Sequence, residues 1–132
     1  MLIDNRQQNF PKNDTALVAQ FCNRKFGVGA DGLIVLEEHP SQDFSMIYYN
    51  ADGNESSMCG NGGRCLVKFA KLMGINKSTY HFIAVDGKHV AEIDMNGLVR
   101  LKMQDVYHVD YHSGHMLVNT GSPHFVKFAT NV

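Results

Sequence analysis

The sequence predicts an α+β fold in which a curled, mostly antiparallel sheet wraps around one apolar helix. Three observations support this prediction. Apolar residues recur at three- and four-residue spacing from Arg64 to Met73, which is typical of a helix with a buried face. After that helix, the turn signals Asp86-Gly87 and Asn96-Gly97 separate short β-rich runs. The chain has 132 residues and is 44% hydrophobic, which is enough to bury a core.

The segment before the apolar helix is predicted to contain short strands and one further helix. Leu2–Asp4 has the composition of the end of a strand, and we expect the strand to begin before the first residue of the sequence. Asn13 or Asp14 can cap a helix over about Thr15–Phe26, which Gly27 would end. Two apolar runs, Leu33–Leu36 and Phe44–Tyr49, are predicted strands.

The second part of the chain is predicted to be β-rich. Its predicted strands are His81–Val85, Lys88–Asp94, Leu98–Met103, His115–Asn119 and Phe125–Phe128. A change in the sequence pattern near residues 104–110 predicts a boundary between a first unit, 1–104, and a second unit, 105–132. We expect that this chain contains only the beginning of the second unit. The histidines at 108, 112 and 115 fit neither one helical face nor a zinc module. We therefore expect an exposed linker there and no metal site.

Composition argues against several classes of function. A net charge of −1 without a basic run does not favour binding to nucleic acid or to an anionic membrane. No apolar run is long enough to span a membrane, and the N-terminus lacks a signal-peptide pattern. Three cysteines without a C-x-x-C pair indicate free thiols in a reducing, cytoplasmic compartment. The glycine-rich segment 27–32 precedes a strand, so it is not a dinucleotide motif.

The most informative segment is Met58–Cys65, which places Cys59 at the predicted start of the apolar helix. Unpaired N–H groups and the positive end of the helix dipole favour a thiolate there, and they can also receive a carboxylate. Gly60, Gly62 and Gly63 each weaken a helix, which we interpret as close approach of a ligand to the backbone. The alternative is that Cys59 is a small buried residue of the core.

The rest of the helix is predicted to be buried on most sides. Its predicted core stripe comprises Cys65, Leu66, Phe69, Leu72 and Met73, and Val67 and Ala70 widen it. Gly74 occupies the position of a C-terminal cap. Cys22, on the earlier helix, is also predicted to be a core residue.

These motifs resemble the diaminopimelate epimerase family over essentially the whole chain. The run Y-N-A-D-G-N-E-S-S-M-C-G-N-G-G-R-C, from Tyr49 to Cys65, resembles the active-site signature of that family. The segments L-I-D-N-R, G-V-G-A-D-G-L and N-T-G-S-P-H are similar to other family landmarks in the same order. Proline racemases share the fold but usually carry histidine at the position of Asn61.

The resemblance implies a cofactor-independent epimerase that interconverts LL- and meso-diaminopimelate in lysine and peptidoglycan precursor synthesis. It also implies two similar halves, each a β-barrel-like sheet around a central helix, with the active site in the cleft between them. Each half supplies one cysteine: one thiolate removes the α-proton, and the other thiol returns a proton to the opposite face. The partner is thus a small-molecule substrate, and a homodimer is left open.

The resemblance also assigns roles to individual residues. Cys59 matches the catalytic cysteine of the first half, and Gly60 and Asn61 match the backbone donors to the substrate α-carboxylate. Asn50 matches a side-chain contact to the distal end of the substrate. His124 matches a histidine that tunes the proton affinity of the thiols.

The chain departs from the family pattern in three respects. The second catalytic cysteine and an early G-N-D-F segment are absent, so the chain is expected to be truncated at both ends and inactive, or nearly so, alone. Ser122 and Gly32 stand where many members have asparagine and glutamine, which affects two substrate contacts. A non-catalytic family member and another isomerase of the same fold are the alternative functions.

Overall fold

The computed structural model describes residues 1–131 and contains two helices and nine strands within them. The elements in chain order are β1 Leu2–Asp4, α1 Thr15–Cys22, β2 Gly32–Glu37, β3 Phe44–Asn50, α2 Gly60–Leu72, β4 Thr79–Ala84, β5 Gly87–Ile93, β6 Val99–Lys102, β7 Val109–His112, β8 His115–Asn119 and β9 Pro123–Val126. The α+β class and the predominance of strands are therefore confirmed.

The strands form two sheets. The larger sheet has six strands in the order β1 to β6, and the smaller one has the antiparallel order β7-β8-β9. A closed barrel is not seen within residues 1–131, because β1 and β6 are the two edges of the larger sheet. The prediction of mostly antiparallel strands is confirmed, and the two parallel pairs are β1 with β2 and β3 with β4. Each of these pairs is joined through a helix, a connection that lets the chain re-enter the sheet in the same direction.

The second strand is buried on both faces because each helix covers one of them. Leu33 and Val35 lie in a core cluster with Val18 and Cys22 of α1. Alternate β2 residues face the opposite way, into the main core under α2. That core includes Ile34, Leu36, Phe44, Met46, Leu66, Val67, Ala70, Tyr80 and Phe82. The larger sheet is therefore the central layer between the two helices.

The buried face of α2 differs from the predicted stripe. Leu66 is fully buried, but Leu72 is 70% exposed and Cys65 is exposed. Val67 and Ala70 complete the buried face with Leu66. The predicted burial of Leu66, Val67 and Ala70 is therefore confirmed, and the prediction is wrong for Cys65 and Leu72. The side of the helix that meets the sheet begins with two buried glycines, Gly62 and Gly63.

Packing explains those two glycines, which corrects the interpretation that a ligand requires them. A Cβ added at Gly62 would lie 2.6 Å from Ile34 Cδ1, and one at Gly63 would lie 2.7 Å from Met58 Cε. Both distances are far below an ordinary carbon–carbon contact. A side chain at either position would therefore force its neighbours to move, and the small glycines let the N-terminal turn of α2 pack closely against the core.

Both helices end at identifiable signals. The first helix ends at Cys22 rather than near Phe26, because the Asn23 side chain accepts the N–H groups of Lys25 and Phe26 and offers the backbone an alternative to the helix. The second helix ends in a Schellman arrangement: Ile75 N–H donates to the Ala70 carbonyl, and Gly74 has φ +93. The predicted glycine cap is therefore confirmed, and so is the Asp14 cap of α1, whose side chain accepts from Leu17 N–H.

The two predicted hairpins are present, with Gly87 and Gly97 at positive φ. Most residues from 108 to 115 are exposed, as expected, but they do not form a linker, because β7 and β8 form a third hairpin there. The chain passes from one sheet to the other between Lys102 and Val109. The division into units 1–104 and 105–132 stays a prediction, and its last residue, Val132, lies outside the described residues. Neither helix of residues 1–131 is long and apolar enough to cross a membrane.

Candidate active site

A tight turn after β3 delivers the chain to the start of α2. Asn50 N–H donates to the Asn54 carbonyl, and Gly53 lies between them at φ +88. Glycine is required at this position because a Cβ there would lie 2.0 Å from the Thr15 carbonyl oxygen. The turn therefore packs against the first residue of α1, and the segment that follows it leads directly to Cys59.

Cys59 is the N-cap residue of α2. Its backbone is extended, at φ −107 and ψ 108, and its Sγ accepts the N–H of Gly62 at 3.3 Å. Its carbonyl oxygen accepts the N–H of Gly63 at 2.8 Å. The thiol is partly buried. The sulfur therefore lies next to an N–H donor and at the positive end of the α2 dipole.

The first two N–H groups of α2, those of Gly60 and Asn61, hydrogen-bond to no protein group within residues 1–131. The side chain of Asn61 is engaged separately, since its Oδ1 accepts from Arg64. Two backbone donors at a helix N-terminus form a site for a carboxylate. The structure therefore brings together three of the predicted site residues, Cys59, Gly60 and Asn61, within one helical turn.

An open groove of about 520 Å³ lies beside Cys59. Its lining residues are Met1, Leu2, Arg24, Ala30, Asp31, Gly32, Ile34, Tyr48, Cys59, Asn61, Gly62 and Cys65. Arg24 and Asp31 form an exposed ion pair at its rim, with 2.5 Å between Nη2 and Oδ1. A thiolate base next to paired N–H donors can remove a proton from a carbon acid whose carboxylate binds to those donors.

Tyr48 is a groove residue that the sequence analysis did not identify. Its ring lies over Gly32: a Cβ at Gly32 would be 2.5 Å from Tyr48 Cε2 and 2.8 Å from its Oη. Burial, followed by the negative charges of Cys59 and Asp31, raises the pKa of the Tyr48 hydroxyl. The period-two alternation of β3 could have revealed it, because this alternation places Tyr48 on the same face as Asn50.

Asn50 is the last residue of β3 and lies opposite Gly32 in the register of the sheet. It is exposed and does not line the groove itself. Because Gly32 does line the groove, Asn50 is placed at its edge. The predicted contact between this side chain and the distal end of a substrate stays a prediction.

His124 lies apart from the groove, exposed on β9, where its Nε2 is 2.9 Å from the Thr120 hydroxyl. The turn that precedes it does contact the segment before Cys59. Ser122 Oγ is 2.6 Å from Ser57 Oγ and donates to the Met58 carbonyl at 3.3 Å. Ser122 therefore links the smaller sheet to the residues before the cysteine, whereas the proposed role of His124 stays a prediction.

The other two cysteines occupy different environments. Cys22 is buried as predicted, and burial raises the pKa of its thiol. Cys65 was predicted to be a core residue, but it is exposed and lines the groove. It lies on the same helix as Cys59, about 9 Å further along the axis. Two thiols on one helix flank the groove from the same wall, so Cys65 is not placed across the groove from Cys59.

Comparison with known proteins points to one family. The family model "Diaminopimelate epimerase" matches residues 1–109. A relative from Flavobacterium psychrophilum, named diaminopimelate epimerase, is 55% identical over 132 residues, which is 100% of this chain and 52% of that protein. One of the same name from Chlorobaculum tepidum is 38% identical over 139 aligned residues, covering 100% of this chain and 54% of that protein. The chain thus spans about half the length of these relatives.

Two solved structures share the fold. A phenazine biosynthesis protein of the PhzF family from Bacillus anthracis matches with a TM-score of 0.68 at 14% identity, over 94% of this chain and 48% of that one. A probable proline racemase from Agrobacterium radiobacter K84 matches with a TM-score of 0.63 at 18% identity, over 90% and 41% of the two chains. At these identities the likeness concerns the fold alone.

Proposed function

Because this chain belongs to the diaminopimelate epimerase family, we propose that it forms one half of an amino-acid epimerase in which Cys59 exchanges the α-proton of diaminopimelate. The main support for the proposal is the position of Cys59 at the N-cap of α2. Its sulfur accepts a hydrogen bond from an N–H group, and the residue lines an open groove. The reaction would belong to lysine and peptidoglycan precursor synthesis. Three free cysteines fit a reducing cytoplasm.

The proton to be removed belongs to a weak acid, the α-carbon of an amino acid. The α-carbon of an amino acid loses its proton only if the electron pair left behind is stabilised. In our proposal the α-carboxylate lies on the N–H groups of Gly60 and Asn61, where it takes up the charge that develops during proton removal. These donors are part of the helix backbone, so they need no reorganisation during the reaction. The sulfur of Cys59 accepts a different donor of the same turn, the N–H of Gly62.

Inversion requires a second acid on the opposite side of the substrate. Cys59 accepts the α-proton and becomes a thiol, and a proton delivered to the other face of the carbon completes the epimerisation. Within residues 1–131 no second thiol faces Cys59 across the groove, since Cys22 is buried and Cys65 lies on the same helix. We therefore propose that the second thiol belongs to the half of the relatives that this chain does not match.

The test uses a chimera in which this chain replaces the matching half of the Flavobacterium psychrophilum relative, to which it is 55% identical. In deuterium oxide, the chimera should incorporate deuterium at the α-carbon of diaminopimelate and interconvert the LL and meso forms. Cys59→Ala should reduce both activities by at least a thousandfold. The 132-residue chain alone should show little or no turnover, because half of the cleft is missing.

Cys65→Ala provides a matched control, because this thiol lines the same groove from the second turn of the helix. It should retain activity within about threefold of the parent. Unchanged deuterium exchange in Cys59→Ala would refute the proposed role of Cys59. A folded chimera that binds but does not exchange diaminopimelate would favour a non-catalytic family member, and exchange with another amino acid alone would favour a different isomerase.

A further inference from the structure

The position of Tyr48 is set by the pairing of β3 with β2, and Tyr48 lies outside the segment Met58–Cys65 that contains Cys59. It lies on β3 opposite Ile34, and its ring covers Gly32, two residues away on the neighbouring strand. Only glycine leaves room for the ring there, because a Cβ at Gly32 would also lie 2.6 Å from the Tyr49 carbonyl oxygen. The ring is thus held against β2, and the side chain lines the groove together with Cys59.

The hydroxyl of Tyr48 is available to a ligand. Within residues 1–131 it forms no hydrogen bond to another protein group, whereas the hydroxyl of the fully buried Tyr80 donates to the Ile75 carbonyl at 2.9 Å. Tyr48 is only partly buried, so its hydroxyl is not sealed in the core. A polar group without a protein partner on the wall of a groove is suited to bind a ligand that enters the groove.

We propose that Tyr48 binds the substrate in the Cys59 groove, its hydroxyl donating a hydrogen bond to a carboxylate of the bound amino acid. This inference rests on the proposed function and names one further residue of the same site. It also gives a reason for glycine at position 32, because the ring of Tyr48 occupies the space that a side chain there would need.

The charges around the groove favour a donor at this position. The charged groups that line the groove are Arg24 and Asp31, which pair with each other at its rim, so a carboxylate that enters beside Cys59 relies on hydrogen-bond donors of the wall. Burial above all, followed by the electrostatic effects of Cys59, Asp31 and Cys22, raises the pKa of the Tyr48 hydroxyl. The hydroxyl therefore keeps its proton, and it can donate to an anion throughout the neutral range.

Calorimetric binding of meso-diaminopimelate to the chimera tests this inference. The titrated protein carries Cys59→Ala, so no turnover occurs during the measurement. Adding Tyr48→Phe removes one hydroxyl and keeps the ring over Gly32. The Kd should rise by on the order of tenfold, as expected for a lost hydrogen bond to a charged group. The urea midpoint should stay unchanged, which separates a binding role from a structural one.

Tyr49→Phe is the matched control. It removes a hydroxyl from the adjacent residue, whose side chain lies on the opposite face of β3, in the core under α1. Its Kd should equal that of the parent. An unchanged Kd in Tyr48→Phe, or an equal rise in both variants, would overturn the inference while leaving deuterium exchange by Cys59 intact. Absence of binding with both tyrosines present would overturn it as well.

Discussion

Gly62→Ala measures how closely α2 approaches the sheet. In an exposed helix this change would stabilise the protein by up to about 1 kcal/mol, because alanine has the higher helix propensity. In this structure the added Cβ would lie 2.6 Å from Ile34 Cδ1, about 1 Å inside an ordinary carbon–carbon contact. Overpacking of this kind typically costs about 1–3 kcal/mol. We therefore expect a net loss of about 1 kcal/mol in the free energy of unfolding.

The same clash predicts a strong coupling with Ile34→Val, which removes the Cδ1 atom. Alone, this change should cost about 0.5–1.5 kcal/mol, since Ile34 is buried. In the Gly62→Ala background it removes the clash, so the double variant should be at least as stable as Gly62→Ala. The expected coupling free energy is about 1–2 kcal/mol in favour of the double variant.

Urea unfolding of the four proteins, followed by circular dichroism, gives this coupling directly. A change in the midpoint without a change in the slope would indicate that stability alone has altered. Ile34→Ala is unsuitable as the second change, because it opens a cavity in addition to removing the clash. Additive effects within about 0.3 kcal/mol, or a Gly62→Ala protein more stable than the parent, would refute the packing explanation of this glycine.

Two further predictions concern the core and the charged surface. Leu66→Ala should lower the free energy of unfolding by about 2–5 kcal/mol, because Leu66 is fully buried. Leu72→Ala, at a position 70% exposed, should change it by less than about 0.5 kcal/mol. Equal losses in urea unfolding would contradict the position of the buried face. Burial raises the pKa of Asp43, but hydrogen bonds from Lys77 and from the His81 N–H outweigh it and lower the pKa overall. The stabilisation from Asp43 should therefore be complete above its ordinary value of 3.8 and be lost as the pH falls through the lower folded-state value. Asp43→Asn should lower the free energy of unfolding by about 1–2 kcal/mol at pH 7 and weaken the fall of that free energy at acid pH. An unchanged fall would show that this carboxylate is not its source.

Local signals were enough to predict most elements of the fold. Gly74 in the helix cap, and Gly87 and Gly97 in the hairpins, act within a few residues of the chain, so the sequence shows their effect directly. The N-cap of α2 at Cys59 could be predicted in the same way, because an N-cap depends on neighbouring backbone groups. Where two local signals competed, as at Asn23, the predicted helix end was too late.

The sequence alone determined the class of the fold, the family and the cysteine at the start of a helix, since each depends on residues close together in the chain. The tertiary structure decided which neighbours meet across the sheet: that Gly62 contacts Ile34, that Cys65 faces the groove and that Tyr48 lies over Gly32. The contact of Gly62 with Ile34 joins residues 28 positions apart, and that of Tyr48 with Gly32 joins residues 16 positions apart. A local sequence pattern cannot predict contacts between residues so far apart in the chain, because the strand register and the approach of the helix are set by the packing of the whole core.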